Sequence, residues 1–331
     1  MATTTSITTT YAGEFAGEYI SAALLSGSTI QNGGITVKPN VKYKEVIKKV
    51  STDDIVKDAS CDFTATSTLT LTERVLQPEL QQVNLQLCKK DFYSDWEAIS
   101  MGYSAHHDLP SKFSDFLIGH VAAKVAQRTE TSIWAGSTAT SGQFDGLTTQ
   151  IAADADLPAA QEVAGATVTA ANVITELGKI VDAIPSALYG KEDLYIYVSQ
   201  NIARAYVRAL GGFATITQQN AAASDNVGIA SVGGNGVDGR GTLWYGNGNL
   251  AFDGVKMFVA NGLADNTAVA AEKSNLYFGT GLLSDHNEVK VLDMADLDGS
   301  DNVRVVMRFS AGVQYGIVDD IVTYGITNSA N

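Results

Sequence analysis

LPSKFSDFLIGHVAAKVAQRTETSIWAG, residues 109–136, reads as one amphipathic helix of about seven turns, or roughly 40 Å, far longer than the usual helix of a globular domain. Pro110 fits the first turn, where its missing N–H costs nothing, and Gly136 offers a terminator able to adopt positive φ. Between them Phe113, Phe116, Leu117, His120, Val121, Lys124, Arg128, Thr131 and Trp134 recur at helical spacing and define one stripe. The stripe turns polar at His120, Lys124 and Arg128. A helix this long, apolar at both ends and mixed in the middle, suits a girder laid across a sheet.

Before the girder the pattern is β. Thr64, Thr66, Thr68, Thr70 and Thr72 alternate with Phe63, Ala65, Leu69 and Leu71, and Val83, Leu85 and Leu87 alternate with Gln82, Asn84 and Gln86. Gln77-Pro78-Glu79 supplies a bend between the two runs, so the sequence predicts that they pair as a ribbon. A two-stranded ribbon is marginal alone and needs completion by another part of the molecule or by another molecule. Phe92, Tyr93 and Trp96 are expected to lock its base onto the girder. Further upstream, Ile35–Val50 has extended character with lysines at 38, 42, 44, 48 and 49, a basic face for solvent or for an acidic neighbour. Thr3–Thr10 reads as a polar arm and Gly13–Leu25 as a short helix, with the fold proper starting after Gly34.

Beyond the girder, Ser137–Asp156, including Phe144-Asp145-Gly146-Leu147, reads as a crossover loop. Thr169 is expected to cap an amphipathic helix with Val173, Ile174, Leu177, Ile180, Val181 and Ile184 on its apolar face and Pro185 at its end. Leu194–Val198 is a buried type of strand, and Ser199 caps a helix over Gln200–Leu210. Residues 228–254 are loop-rich, with short strands at Leu243–Tyr245 and Val255–Val259. Val303, Val305, Met307, Phe309, Val313, Tyr315 and Ile317 alternate with small or polar residues, and Ile321–Ile326 forms a last strand. The class is α+β, with a compact α/β insertion at about 160–270.

Composition bounds the function. A 45% hydrophobic content specifies a folded chain, and the net charge of -14 disfavours a dedicated DNA-reading role. The start has no basic or apolar leader and no 18-residue apolar run occurs, so neither export nor membrane insertion is expected. Cys61 and Cys88 lie on opposite parities of the ribbon, which predicts two free thiols. Gly234–Gly239 matches G-x-G-x-x-G but leads into a strand, whereas a dinucleotide site needs a helix there. Asp296, Asp298, Gly299 and Asp301 imitate a calcium loop, yet Met294 and Val305 stand at its two strongest ligand positions. His106, His107, His120 and His286 have no partners at metal-ligand spacing, and no nucleophile or carboxylate-pair motif is present. No enzyme activity, no cofactor and no metal site is expected.

The order of parts carries a resemblance. Thr68-Leu69-Thr70-Leu71-Thr72-Glu73-Arg74 through Asn84-Leu85-Gln86-Leu87-Cys88 matches an extended loop, and Pro110–Gly136 with Phe144-Asp145-Gly146-Leu147 matches a spine helix and its exit. Leu194–Leu210 matches an axial domain, and Leu250-Ala251-Phe252-Asp253-Gly254-Val255 with Val303–Ile326 matches the return to a peripheral one. The chain resembles the tailed-bacteriophage major capsid proteins of the Hong Kong 97-like fold. The resemblance implies an N-terminal arm at 1–34, extended loop, spine helix and first part of the peripheral sheet domain at 35–160, axial domain at 161–270 and return strands at 271–331. It also implies self-assembly through hexamers and pentamers into an icosahedral shell around double-stranded DNA, in the virion, assembled in the host cytoplasm.

Portal, scaffold and decoration proteins are the partners it implies, with packaged DNA held without sequence-specific binding and no membrane contact. Its inter-subunit contact candidates are Lys42, Lys44, Thr68, Thr70, Thr72, Glu73, Arg74 and Glu79. Its spine-helix residues are Phe113, Phe116, His120, Lys124, Arg128 and Trp134, of which the polar middle, His120, Lys124 and Arg128, is expected to face strands or a neighbour. Too few residues precede the first strand for a built-in scaffolding segment, so a separate scaffold or none is implied. Lys57, Lys89 and Lys90 lie near the ribbon, but no Asn partner or catalytic carboxylate is identifiable, so no Lys–Asn isopeptide cross-link is expected. A bacterial encapsulin compartment shares the fold, and a soluble α/β binding protein or hydrolase would instead use the loop at 228–254.

Overall fold

The computed structural model describes residues 27–52, 56–59, 61, 68–88, 111–209, 250–281, 290–295 and 299–329, and of 111–117, 290, 328 and 329 the backbone alone. The expected arm, the helix at 13–25, the aromatic segment 91–103, Lys89, Lys90, His106, His107, the string 234–239, the strand at 243–245, His286, Asp296 and Asp298 lie outside these residues, as do the side chains of Phe113 and Phe116.

A single-turn helix α1 (Ser28–Gln31) leads into β1 (Thr36–Pro39), β2 (Glu45–Thr52), β3 (Leu69–Leu76) and β4 (Glu79–Cys88). The girder α2 (Ser111–Ala135) and a short α3 (Leu147–Ala152) follow. The next segment holds β5 (Glu162–Gly165), α4 (Val173–Asp182), β6 (Leu194–Val198), α5 (Gln200–Ala209), the hairpin β7 (Ala251–Phe252) and β8 (Val255–Val259), and β9 (Ala268–Glu272). The chain closes through β10 (Leu276–Thr280), β11 (Lys290–Asp293), β12 (Asn302–Tyr315) and β13 (Val322–Ser329).

Two sheets and a ribbon result. In the first sheet the long β12 is the backbone: β10 and β11 share one of its edges and β4 runs antiparallel along the other, with β1 outside β10. Val303, Val305, Met307, Phe309, Ala311, Val313 and Tyr315 of β12 are all buried, the strict alternation of a strand covered on one side. The girder covers it, contributing Ile118, Val121, Val125, Ile133 and Trp134 to the same core. The second sheet, ordered β5-β13-β9-β6-β8-β7, packs α4 and α5 over a separate core that includes Leu177, Ile180, Ile196 and Ile202. β13 joins this sheet between β5 and β9, so the last strand does not return to the first sheet as its sequence position suggests.

Several local expectations are corrected. The buried stripe of α2 comprises Ile118, Val121, Val125, Ala126, Thr129, Glu130, Ser132, Ile133 and Trp134, while His120, Lys124 and Arg128 are exposed. The polar middle therefore faces away from this chain's own strands. Gly136 is required for close approach and not for positive φ: a Cβ there would lie 2.3 Å from the Phe144 carbonyl oxygen. Residues 147–152 are helical where a loop was expected, because the Gly146 N–H donates to the Gly136 carbonyl (2.9 Å) and Thr148 and Thr149 donate to the carbonyls of Trp134 and Gly136.

α4 starts at Val173. The Thr169 hydroxyl donates to Asn172 Oδ1 and caps no backbone group, and Ile174 is exposed. Ser199 precedes α5 as expected, but its hydroxyl donates to Asn201 Oδ1 (2.6 Å) and only its carbonyl serves the helix. The fold also begins before Gly34, since Thr29 and Ile30 of α1 are buried against α2.

Candidate functional site

The ribbon is the element that the rest of the fold holds out. β3 pairs antiparallel with β2 over the whole of both strands, from Glu45 opposite Leu76 to Thr52 opposite Leu69, while β4 pairs with β12. The expected hairpin between β3 and β4 therefore does not form. Gln77-Pro78 is a corner between two sheets: type I′ and II′ hairpin turns need positive φ at the first central residue or at both, and proline at the second cannot supply the I′ geometry.

The ribbon's base is pinned by charge. Arg74 lies over the Tyr315 ring, with its guanidinium carbon 4.5 Å from the centroid, and donates to Asp154 Oδ2 (2.5 Å) and Tyr315 Oη (3.2 Å). Tyr315 Oη in turn donates to the same Asp154 oxygen (2.6 Å). Burial pushes the Asp154 carboxyl up, but hydrogen bonds from Tyr315, the Asp156 N–H and Arg74, together with the Arg74 charge, outweigh it and hold Asp154 below the usual range. Burial, reinforced by the bond to Asp154, raises the Tyr315 phenol. Lys49 pairs with Asp319 and Lys38 with Glu45 (2.5 Å), fixing the second strand and its approach.

Beneath the corner lie two adjoining clefts of about 420 and 370 Å³ that share Asp145, Gln150 and Gln314 as lining residues. Gln150 Nε2 donates to the carbonyls of Asp145 (2.7 Å) and Val313 (3.0 Å), tying α3 to β12 across the cleft floor. Glu79 lines one of them, and burial together with the nearby Asp145 charge raises its carboxyl above the ordinary value. The spine end is equally closed. Glu130, buried in α2, accepts from Ser28 Oγ (2.9 Å), the Thr29 N–H (3.1 Å) and Thr29 Oγ1 (2.5 Å), and Trp134 Nε1 donates to that same Thr29 oxygen (2.8 Å). Asp154 and Glu130 thus each hold one element to another.

No family model and no curated protein matches the chain. Solved structures do. The capsid of a native GTA particle superposes with a TM-score of 0.57 over 98% of this chain and 94% of that one at 12% identity. The capsid of Myoviridae phage XM1 gives 0.54 over 90% and 91% at 13% identity, and that of cyanophage P-SCSP1u gives 0.51 over 90% and 86% at 14% identity. The chain has the Hong Kong 97-like capsid fold. Its ribbon is the extended loop of that fold, α2 the spine helix, the first sheet the peripheral layer and the second sheet with α4 and α5 the axial layer.

Within the capsid fold the candidate residues separate into two groups. Lys42, Lys44, Thr68, Thr70, Thr72 and Glu73 are exposed on the extended loop or its approach, with the Lys44 ammonium 5.3 Å from the Tyr43 ring centroid. Arg74 and Glu79 are drawn into the loop's base. On the spine, Trp134 is fully buried, Arg128 donates to the carbonyls of Ser141 and Gly142, Lys124 donates to Gln127, and His120 is exposed.

The residues that hold the loop, Asp154, Tyr315 and Asp319, were missed because nothing in their local sequence marks them. Glu130 was missed because a glutamate on a helix reads as surface charge. Cys61 is exposed and Cys88 half-buried, both as free thiols. Among the described residues no group of three or more His, Cys, Asp and Glu side chains is placed to hold a metal, and no helix is long and apolar enough to cross a membrane.

Proposed function

We propose that this chain is the major capsid protein of a tailed bacteriophage, assembling through hexamers and pentamers into an icosahedral shell around double-stranded DNA. One observation carries the reading: on a capsid fold, a two-stranded loop is pinned at its base by the Arg74–Tyr315–Asp154 and Lys49–Asp319 contacts, while its outer end, Val50–Thr52 with Leu69–Leu71, is exposed on both faces. A ribbon fixed in direction yet without a third strand among the described residues is suited to completion by another subunit. Different patches meeting around a ring close into hexamers and pentamers, and many weak reversible contacts let a shell correct errors as it forms.

In this reading 35–160 supplies the loop, the spine and the first part of the peripheral layer and 161–270 most of the axial layer, while of 271–331 the strands β10–β12 return to the peripheral sheet and β13 joins the axial one, and Ser28–Gln31 belongs to the body and not to an arm. Its partners are itself, a portal, a scaffold and decoration proteins, and the role is structural and not enzymatic. The chain, expressed alone or together with a scaffold protein should it need one, and followed by electron microscopy and sedimentation, is expected to give closed shells. Small oligomers under all assembly conditions would overturn the proposal. Particles purified from lysates are expected to hold double-stranded DNA; a protein cargo in its place would indicate an enclosing compartment of the encapsulin type.

A further inference from the structure

The exposed side of the spine helix is basic on an acidic chain. His120, Lys124 and Arg128 recur there at every fourth residue, about 6 Å apart along the axis, so they stand in one row. Over residues 118–143 the sequence holds a single acid, Glu130, and its side chain is turned into the body against Ser28 and Thr29. Carboxylates elsewhere take up cations: Lys38, Lys49, Arg74, Lys179 and Lys191 each meet one. Lys124 donates instead to Gln127 Oε1, and Arg128 to the carbonyls of Ser141 and Gly142, all neutral oxygens. Those carbonyls hold Arg128 through Nε and Nη2, leave Nη1 to other acceptors, and draw the turn at 137–143 alongside the helix with Thr140 and Ser141 exposed.

We propose that this face of α2, with the turn beside it, is the surface on which the sugar–phosphate backbone of the packaged duplex rests, and that it therefore lines the interior of the shell. The inference rests on the shell reading above and adds to it the residues that meet the DNA. Two observations select the occupant. A duplex carries one phosphate charge per about 1.7 Å of its axis and is drawn to a basic strip without exposed carboxylates, while the rest of a chain of net charge -14 repels it. A protein partner would instead need an apolar anchor, and none of the large hydrophobics exposed among the described residues falls within 118–143. Ammonium, guanidinium, hydroxyl and amide groups bind phosphate oxygens without reading bases. Two cations per subunit make a weak contact, repeated over every copy in a shell, so the duplex is positioned and can still move.

Lysine acetylation by a small amine-reactive ester, read by mass spectrometry, tests this on DNA-filled particles, on the same particles emptied of DNA and on the unassembled subunit. Lys124 is expected to react about fivefold more slowly in filled particles than in emptied ones, the effect of an ammonium held by phosphate most of the time. Lys179 and Lys191, already bonded to Glu176 and Glu272, should react alike in both. Raising the salt from about 0.05 to 0.5 M should erase most of the difference at Lys124, since each phosphate contact weakens about eightfold over that range. Equal rates at Lys124 in filled and emptied particles, a slowing that ignores salt, or the same slowing at Lys179 and Lys191 would overturn the inference and leave the shell reading standing. Lys124 slowed in filled and emptied particles alike, relative to the unassembled subunit, would assign the face to a protein contact and overturn it as well. Particles that hold no duplex would overturn the reading of a shell around DNA itself.

Discussion

Gly279 and Gly312 stand opposite each other in the register of β10 and β12, and the corner that carries the chain out of the extended loop passes over the bare patch they leave. A Cβ on Gly312 would lie 2.8 Å from both the Gln77 carbonyl oxygen and Pro78 Cα, which are backbone atoms; one on Gly279 would meet the end of the Leu76 side chain at 3.0 Å. Neither glycine has a positive φ, so the demand is for space alone. Gly312→Ala is therefore expected to destabilise the subunit by about 1–3 kcal/mol, the usual cost of overpacking. Gly279→Ala should cost less, because the Leu76 side chain can shift. Urea unfolding of the unassembled subunit measures both, and a larger loss at Gly279 would contradict the assignment.

Asp154 is the shared acceptor at the loop's base, so removing its charge loosens two donors together. Asp154→Asn should cost about 1–3 kcal/mol, the range for a charged hydrogen bond lost from a partly buried site. It should also speed proteolytic cleavage within 45–76. The sign with pH follows from a carboxyl held below its ordinary value: the stabilisation is full above the unfolded value near 4 and is lost as pH falls through the folded one. Acid unfolding of the natural chain should thus be steeper than that of Asp154→Asn, and parallel curves would remove Asp154 from this role.

Legibility followed range. Where the pattern is local and periodic the elements match: β6 at Leu194–Val198, β8 at Val255–Val259 and the alternation of β12 from Val303 to Tyr315 stand as the residues predict. Pairing was not legible. The adjacency of β3 and β4 suggested a hairpin, whereas the true partner of β3 is β2, reached across a long connection whose lysines looked like a surface segment. A signal was present, since Gln77-Pro78 disfavours both common hairpin turns, with proline excluding type I′ and a non-glycine first residue disfavouring II′, and Val46, Lys48 and Val50 already alternate. The spine helix was legible in length but not in rotation, because its buried face includes Thr129, Glu130 and Ser132, which blur the apolar stripe. Long-range polar contacts such as Arg74 to Asp154 leave no periodic trace.

Glu79 should behave in the opposite sense to Asp154. Burial and the Asp145 charge raise its carboxyl, so the folded state prefers the protonated form; the gain is present below the ordinary glutamate value and is lost as pH rises through the raised one. Glu79→Gln removes that loss. The variant is expected to melt above the natural chain at pH 7 and together with it near pH 3.5, and an Asp145→Asn background should shrink the difference. A neutral-pH melt below that of the natural chain would count against it.

Glu130 closes the spine helix onto the first turn of the described chain. Its two oxygens accept from a backbone N–H and two hydroxyls, and a second link runs through Trp134 Nε1 to Thr29 Oγ1. An amide at 130 keeps one acceptor oxygen but points an NH₂ group at donors, so Glu130→Gln leaves buried donors unmatched and should cost about 2–3 kcal/mol. Trp134→Phe removes one bond and part of the ring volume, and Thr29→Val removes the hydroxyl that both links share. If the links act as one network, Thr29→Val in the Glu130→Gln background should cost far less than it does alone, a coupling that a double-mutant cycle on urea unfolding reads directly. Additive losses would mean that Glu130 and Trp134 hold α1 independently.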